Sequence, residues 1–538
     1  MLIRLFKALF RRYPADARVA RLRSLLMEHP APLPDANGPV VAIQCIEDPL
    51  YFGLFGAVYS ELRTRFGMRG ELVLVHSISG FIGTGPRASL LRSSLFRLPL
   101  SSQWVRAFQP LVCNVAYRCV SLGHPVADAI DAVRGFVAWR RARRSPETFA
   151  LEIDDIPVGD LIIDSYLRFR PAPHFEVADR FVLRLIWQAY RDVRRARRYF
   201  ATIKPALYLT SYSTYLEHGI PVRVALKQGT DVRAFGSLLK VGKELTWQDW
   251  FHAVDTANYR RRFETLDHPE QRLQQADEQL SRRFTGQIDQ AMSYMRQSAY
   301  ASNTEELPPD LEGAVVVFMH DFFDSPHIYA DLVFDDFWSW ICFTIDALRE
   351  AKVPFYLKPH PNQIELSKAA LAELCRRYPE VRLLSTRINA AQLAKARVMC
   401  GVTVYGSVAH ELAYFGVPTV ACARHPHASF EFCRTARTRD EYHSFLQSPA
   451  TMPLDAAEMR RQALMFYYMH NLYGDPDELA LRADFVAFWT ACNSDDPSGN
   501  TAAQALQRLR TSRAFGLMVE AFAKQLGPEA TALSGVRS

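Results

Sequence analysis

With 538 residues the chain is longer than one hydrophobic core ordinarily serves, so two or three domains are expected. Hydrophobic residues make up 49% of it and the formal charge is +7. This excludes a disordered chain and suits an anionic substrate or membrane surface; no nucleic-acid-binding motif accompanies the charge. The nine cysteines form no Cys-x-x-Cys pair, so neither a zinc site nor a disulfide framework is indicated and a reducing cytoplasm is the simplest compartment.

Residues 1–38 read as a basic amphipathic helix and a linker. Leu2, Ile3, Leu5, Phe6, Leu9 and Phe10 alternate with Arg4, Lys7, Arg11 and Arg12, a run too broken for a signal peptide and too short to span a bilayer. It suits either an anionic membrane face or packing on the protein. A first α/β domain, 39–305, follows: a strand at 40–45, a helical pattern at 55–66 and a strand at 72–75. Gly80, Gly83 and Gly85 mark a loop rather than a dinucleotide fingerprint, because Pro86 intervenes and no helix follows at the right spacing. The apolar stretch 90–122 is broken by Arg92, Arg97, Arg106 and Arg118, which predicts amphipathic helices and not a membrane span. Val158-Gly159-Asp160 predicts a helix with Asp160 as its N-cap and an Asp164–Arg168 pair.

A helix over 177–199 carries Arg180, Arg184, Arg191, Arg194, Arg195, Arg197 and Arg198; it is either a solvated face or one that attracts an anionic polymer or lipid headgroups. Residues 207–226 then give a strand, a short helix, Gly219-Ile220-Pro221 and a strand at 222–226. The same order recurs about two hundred residues later, which suggests two like domains. A polar helical stretch over 247–301 leads to a hinge at Leu307-Pro308-Pro309-Asp310.

The second domain, 306–455, opens with a strand over 315–319 that presents His320, Asp321, Asp324 and His327. Such a group resembles a metal set, but no further ligand is spaced to complete it; a metal-free cluster facing a cleft is expected. A helix over 338–351 leads to a strand at 353–357 that delivers Lys358, Pro359, His360, Pro361 and Asn362. Short strand character at 382–384 precedes a strand at 398–404 that delivers Tyr405, Gly406 and Ser407. Ser407 is placed as an N-cap, Gly416 as a C′ glycine, and Val417-Pro418 opens a third strand through Ala421. Thr438 and Glu441 form a capping box. Residues 456–538 are expected to be helical, with 498–538 as a looser tail.

The strand ends hold the chemistry. A helix beginning at Gly406-Ser407 turns unpaired N–H groups toward whatever lies above the sheet, favouring a phosphate. Lys358 adds a charge and His360 a titratable donor held by two prolines. Glu411 lies one turn beyond Ser407, outside the capping-box position, and is expected to face a ligand hydroxyl.

Lys358-Pro-His-Pro, then Tyr405-Gly-Ser, Glu411 and Gly416-Val-Pro, together resemble the carboxy-terminal half of bacterial capsule polysaccharide biosynthesis glycosyltransferases. These are similar to β-Kdo transferases, polysialyltransferases and CDP-glycerol glycerophosphotransferases. The resemblance is specific over roughly 315–445 and loose elsewhere. It implies an α/β fold of two facing Rossmann-like domains (the GT-B type) with a helical C-terminal extension. By it, His360 and Ser407 would contact nucleotide phosphates and Glu411 the ribose, with Lys358, Asn362, Tyr405 and Gly406 around them. His320, Asp324 and His327 would face the cleft or acceptor. Asp160, in a turn that resembles the same place in that family, is either a cap or the base that deprotonates an acceptor hydroxyl.

The expectation is a metal-independent, cofactor-free glycosyltransferase, cytoplasmic or peripheral to the inner membrane. It would move a sugar from a nucleotide donor to a surface polysaccharide or its lipid-linked primer, beside a capsule synthesis and export complex and without nucleic acid. The alternatives are a nucleotide-sugar epimerase or hydrolase of the same fold, and a non-catalytic polysaccharide-binding or scaffold paralogue.

Overall fold

A computed structural model describes residues 16–28, 37–75, 102–119, 124–144, 149–170, 172–254, 258–287, 300, 305–361, 363–425, 427–451 and 453–525. The basic segment 1–13, the loop glycines Gly80, Gly83 and Gly85, and Asn362 lie outside them. The chain forms two compact units, the first made of Met1–Ser165, Val177–His252 and Asp475–Ser538, the second of Tyr166–Glu176 and Ala253–Gly474.

In the first unit the strands are β1 (Val40–Gln44), β2 (Arg69–Val73), β3 (Asn114–Ala116), the hairpin β4 (Glu152–Ile153) and β5 (Ile156–Pro157), then β6 (Leu207–Thr210), β7 (Asp231–Ala234) and β8 (Lys243–Leu245). The main sheet runs β3-β2-β1-β6-β7-β8, parallel throughout except for β8 on β7. Leaving out the hairpin, this is the 3-2-1-4-5-6 order of a Rossmann sheet, with its switch point between β1 and β6. The central strands are buried on both faces, Val41, Ile43, Leu207 and Leu209 on one and Ala42 and Tyr208 on the other being wholly buried, as a sheet covered on both sides requires. Helix α1 (Ala17–Met27) precedes them, and α2 (Pro49–Phe66), α3 (Pro125–Ala142), α4 (Gly159–Phe169), α5 (Arg180–Ile203) and α6 (Tyr215–Lys227) lie between them in the chain. Asp48 caps α2 by accepting from Leu50 N at 2.8 Å.

Two expectations change in this unit. Residues 222–226 are helical, because α6 runs through Gly219 and Pro221. Proline there frees the carbonyl of Glu217, four residues back, and Gln44 Nε2 takes it at 2.9 Å. The arginine-rich α5 is also not simply solvated. Arg191 and Arg195 are buried; Arg195 reaches Asp128 of α3 at 3.1 Å and Arg194 reaches Asp131 at 2.7 Å.

The second unit is a five-stranded parallel sheet of β9 (Val315–Phe318), β10 (Phe355–Lys358), β11 (Cys400–Val402), β12 (Thr419–Ala421) and β13 (Cys433–Thr435). Its order is β10-β9-β11-β12-β13. Its helices include α7 (Pro269–Phe284), α8 (Phe337–Glu350), α9 (Glu365–Arg377), α10 (Val408–Tyr414) and α11 (Ala456–Tyr467). Gly416 has φ +77° and ends α10 as expected. The segment before residue 305 belongs with this unit and not with the first domain as drawn from the sequence. Leu273, Ala276 and Leu280 of α7 share a core with Met459, Ala463 and Phe466 of α11, and that apolar burial fixes the boundary.

The last helices, α12 (Pro476–Cys492), α13 (Asn500–Thr511) and α14 (Arg513–Gln525), return to the first unit. Over 500–525 the expected loose tail is instead core. Leu506, Leu509, Phe515, Val519 and Phe522 are buried against α1 and α2 residues such as Leu22 and Phe52, because their three- and four-residue spacing gives each helix an apolar face. The fold is α/β: two Rossmann-like units with a helical C-terminal extension.

Candidate functional site

The strand order of the second unit is 2-1-3-4-5, which places its switch point between β9 and β11. The carboxyl ends of these two strands deliver His320 and the run from Thr403 to Ser407. There His320 Nε2 lies 3.2 Å from Thr403 Oγ1. Its ring stacks on Phe337 at 4.8 Å and 10° and meets Tyr405 at 4.8 Å. Burial, followed by nearby His360, pushes the His320 imidazole down to about 3, so it is neutral in use. Tyr405 donates its hydroxyl to Ser325 O at 3.2 Å. Gly406 is required by close approach: a Cβ there would sit 2.8 Å from Thr403 Oγ1.

Next to the switch, β10 ends in Lys358. This side chain is buried and its Nζ donates to Thr386 O at 2.9 Å. Desolvation pulls the ammonium down to about 8, opposed by the Glu411 carboxylate. His360, half-buried, is also lowered, mainly by burial, with Asp321 raising it and Lys358 lowering it. It is therefore a neutral imidazole at pH 7. Asp321 is the fastening between the two strand-end loops. Its carboxylate accepts from Phe323 N at 2.9 Å, Ser367 Oγ at 2.7 Å and Ile364 N at 3.1 Å.

The remaining expected site residues divide. Ser407 stands at the N-cap position of α10 but in helical geometry and without a side-chain capping bond. With seven residues, that helix has only a short dipole to offer. Glu411 is turned to protein partners: it is buried, ion-paired with Arg283, and accepts from Tyr300 Oη at 2.6 Å. Asp160 is not an N-cap but lies in the first turn of α4. Its carboxylate is clamped by the buried Arg223, whose Nη1 donates at 2.7 Å while Nη2 takes the other oxygen. This pair of hydrogen bonds from a guanidinium argues against a base role. Asp324 is exposed and accepts from its neighbour Ser325 N at 2.9 Å. His327, in a short 3₁₀ turn, is felt by Asp335.

Sequence reasoning missed Arg283, which neutralises Glu411, and Tyr300, which donates to it, and it missed His425 and His427 after β12. The signal was present in the last case, since His425-Pro-His427 after β12 mirrors Lys358-Pro-His360 at the end of β10. His425 Nδ1 receives the His427 amide at 3.4 Å and lies 2.6 Å from His427 Nδ1. An amide only donates, so His425 Nδ1 is the acceptor, His427 Nδ1 carries the proton, and the His425 proton sits on Nε2. Burial keeps both rings neutral, His425 well below its ordinary value and His427 at about 3. Tyr329 links His425 at 5.2 Å to Tyr405 at 5.1 Å. At the switch point of the first unit, also unforeseen, Gln44 Oε1 receives Thr210 Oγ1 at 2.6 Å and lies 3.3 Å from His218 Nδ1.

No protein-family model and no curated protein sequence matches the chain. Solved structures do share similarity with it. The Thermosulfurimonas dismutans β-Kdo 2,4 transferase KpsC is 13% identical over 48% of this chain and 79% of its own, with a TM-score of 0.29. Anabaena HepE, in complex with UDP and glucose, is 12% identical over 90% of this chain and 100% of its own, at 0.25. A putative UDP-N-acetylglucosamine 2-epimerase of Listeria monocytogenes is 10% identical over 85% and 97%, at 0.23. The fold itself rests on the strand orders above.

Proposed function

We propose that the protein is a glycosyltransferase that takes a nucleotide-activated sugar at the switch point of its second unit and passes the sugar to a surface polysaccharide or its lipid-linked primer. The observation that carries this reading is the convergence of Lys358, His360 and His320 with the glycine-lined turn at Gly406 on adjacent strand ends, where α/β sheets take ligands. Lys358 supplies a cation whose charge a bound phosphate would restore, since the anion offsets the desolvation that lowers its pKa. His360 and His320 are neutral and suited to donating hydrogen bonds to phosphate or sugar oxygens without carrying charge of their own. The developing negative charge on the departing nucleotide is the feature such donors stabilise most.

The transferase reading asks for no cofactor and no metal. The proposed location is the cytoplasm, peripheral to the inner membrane; among the described residues no helix is long and apolar enough to cross a bilayer. Donor turnover tests it. Incubation with CMP-, UDP- and GDP-sugars and capsule-type acceptors should consume one donor and lengthen the acceptor. Release of a free or isomerised sugar without elongation would replace the transferase by an epimerase or hydrolase, and no consumption of any donor would remove both.

A further inference from the structure

Helix α3 is built the wrong way round for a surface helix of a globular protein. Its acids, Asp128 and Asp131, turn inward to Arg194 and Arg195 of α5. Its inner face is close-packed: a Cβ on Gly135 would lie 3.3 Å from the Trp187 backbone, and buried Trp139 donates to Val177 O at 2.7 Å. Its outer face is apolar. Val126, Ile130 and Val133 are 74%, 55% and 65% exposed, and Phe136 and Val137 continue the same stripe. These five supply half of the ten large hydrophobic side chains exposed among the described residues, so the stripe is a local concentration and not ordinary scatter.

The stripe runs into cations. Arg140, Arg141, Arg143 and Arg144 are all exposed at the C-terminal end of α3, and among the described residues no acid pairs with them. Arg140 lies over the Phe136 ring at 6.0 Å, at the border of the two zones.

We infer that this outward face of α3 is a docking surface for an anionic lipid bilayer, with the helix lying in the plane of the interface. An outward helix face that is apolar, carries no acid of its own and ends in arginines is the pattern that enters the headgroup boundary, Asp154 at its flank being paired with Arg134. Charge chooses the occupant: the four exposed arginines at one end of the stripe make a positive edge that anionic headgroups complement, and a second copy is the alternative that the test separates. The inference deepens the peripheral location proposed above and uses no residue of the donor site, so the two fail separately.

The test is cosedimentation of the full chain with phosphatidylcholine vesicles, with and without phosphatidylglycerol. Two double variants are compared with the parent, Val133→Asp with Val137→Asp, and Arg140→Ala with Arg141→Ala. All four side chains are exposed, and unchanged thermal unfolding confirms the fold. The parent should bind the anionic vesicles preferentially. The arginine pair should weaken that binding about thirtyfold and the valine pair on the order of tenfold or more. Nucleotide-sugar consumption, read in parallel, should be unchanged in both. Three results would overturn the inference: equal binding by the variants and the parent, which places any membrane contact elsewhere such as residues 1–13; no preference of the parent for anionic vesicles; or a valine pair that turns a dimer into a monomer without altering vesicle binding, which makes the face an interface between copies.

Discussion

Replacing Glu411 with alanine separates the two roles open to that residue. By resemblance to capsule glycosyltransferases it would touch a ribose; in the structure its carboxylate is held by Arg283 and Tyr300, all three buried. Removing it leaves the Arg283 guanidinium desolvated without a partner, and breaking a buried ion pair from one side costs about 3–5 kcal/mol. In a unit of this size that corresponds to a fall on the order of 10 °C in unfolding temperature. Calorimetry of Glu411→Ala should show it, and Arg283→Met in the same chain should recover most of the loss, since an apolar pair in place of a buried ion pair is close to neutral. A Glu411→Ala protein that unfolds with the parent but binds donor tenfold or more weakly would refute this account and return Glu411 to the ligand.

His360→Ala should lower turnover on the order of a hundredfold while leaving unfolding almost unchanged, because Asp321, not His360, fastens the loop; early unfolding or full activity would place His360 outside the site. Lys358, with its folded pKa near 8, is charged below that value and neutral above it. Donor affinity should therefore fall as pH rises through about 8, where an ordinary lysine would hold its charge to beyond 10, and a titration of binding against pH should lose that limb in Lys358→Met; a limb that persists belongs to another group. Asp160→Ala should destabilise the first unit by about 3 kcal/mol, stranding the buried Arg223, and leave donor consumption per folded molecule intact; lost turnover with unchanged unfolding would restore its role as a base.

The sequence made the second sheet legible because its strands are unbroken apolar runs ending in turn chemistry. Residues 353–357 and 398–404 became β10 and β11, and Gly416-Val417-Pro418 marked the step into β12. The same Gly-aliphatic-Pro pattern misled at Gly219-Ile220-Pro221. Gly416 takes a left-handed φ and stops its helix, whereas Gly219 is helical, with space for a Cβ closed by Leu161 at 2.4 Å. Nothing local in the two triplets tells these apart; the distinction comes from the neighbouring helix α4 and from Gln44, which takes the carbonyl freed by Pro221. The edge strands β3, β8 and β13, three residues each, are too short to show a period. Lys358, His360, His320, Tyr405 and Gly406 were placed at strand ends from residue type, and the structure has them there. The arginine partners of Glu411 and Asp160, Arg283 and Arg223, were not legible because they lie 128 and 63 residues away, a separation that no local pattern reveals.

The central claim is a nucleotide site at the β9–β11 switch point, and nucleotide-dependent thermal stabilisation measures it most directly. With CMP, CDP, UDP and GDP in turn, one nucleotide at a hundred times its dissociation constant should stabilise the parent by about 2.7 kcal/mol. The same concentration should stabilise Lys358→Met and His360→Ala clearly less. Stabilisation by none of the four, or an equal shift in parent and variants, would contradict the placement of the donor at these strand ends.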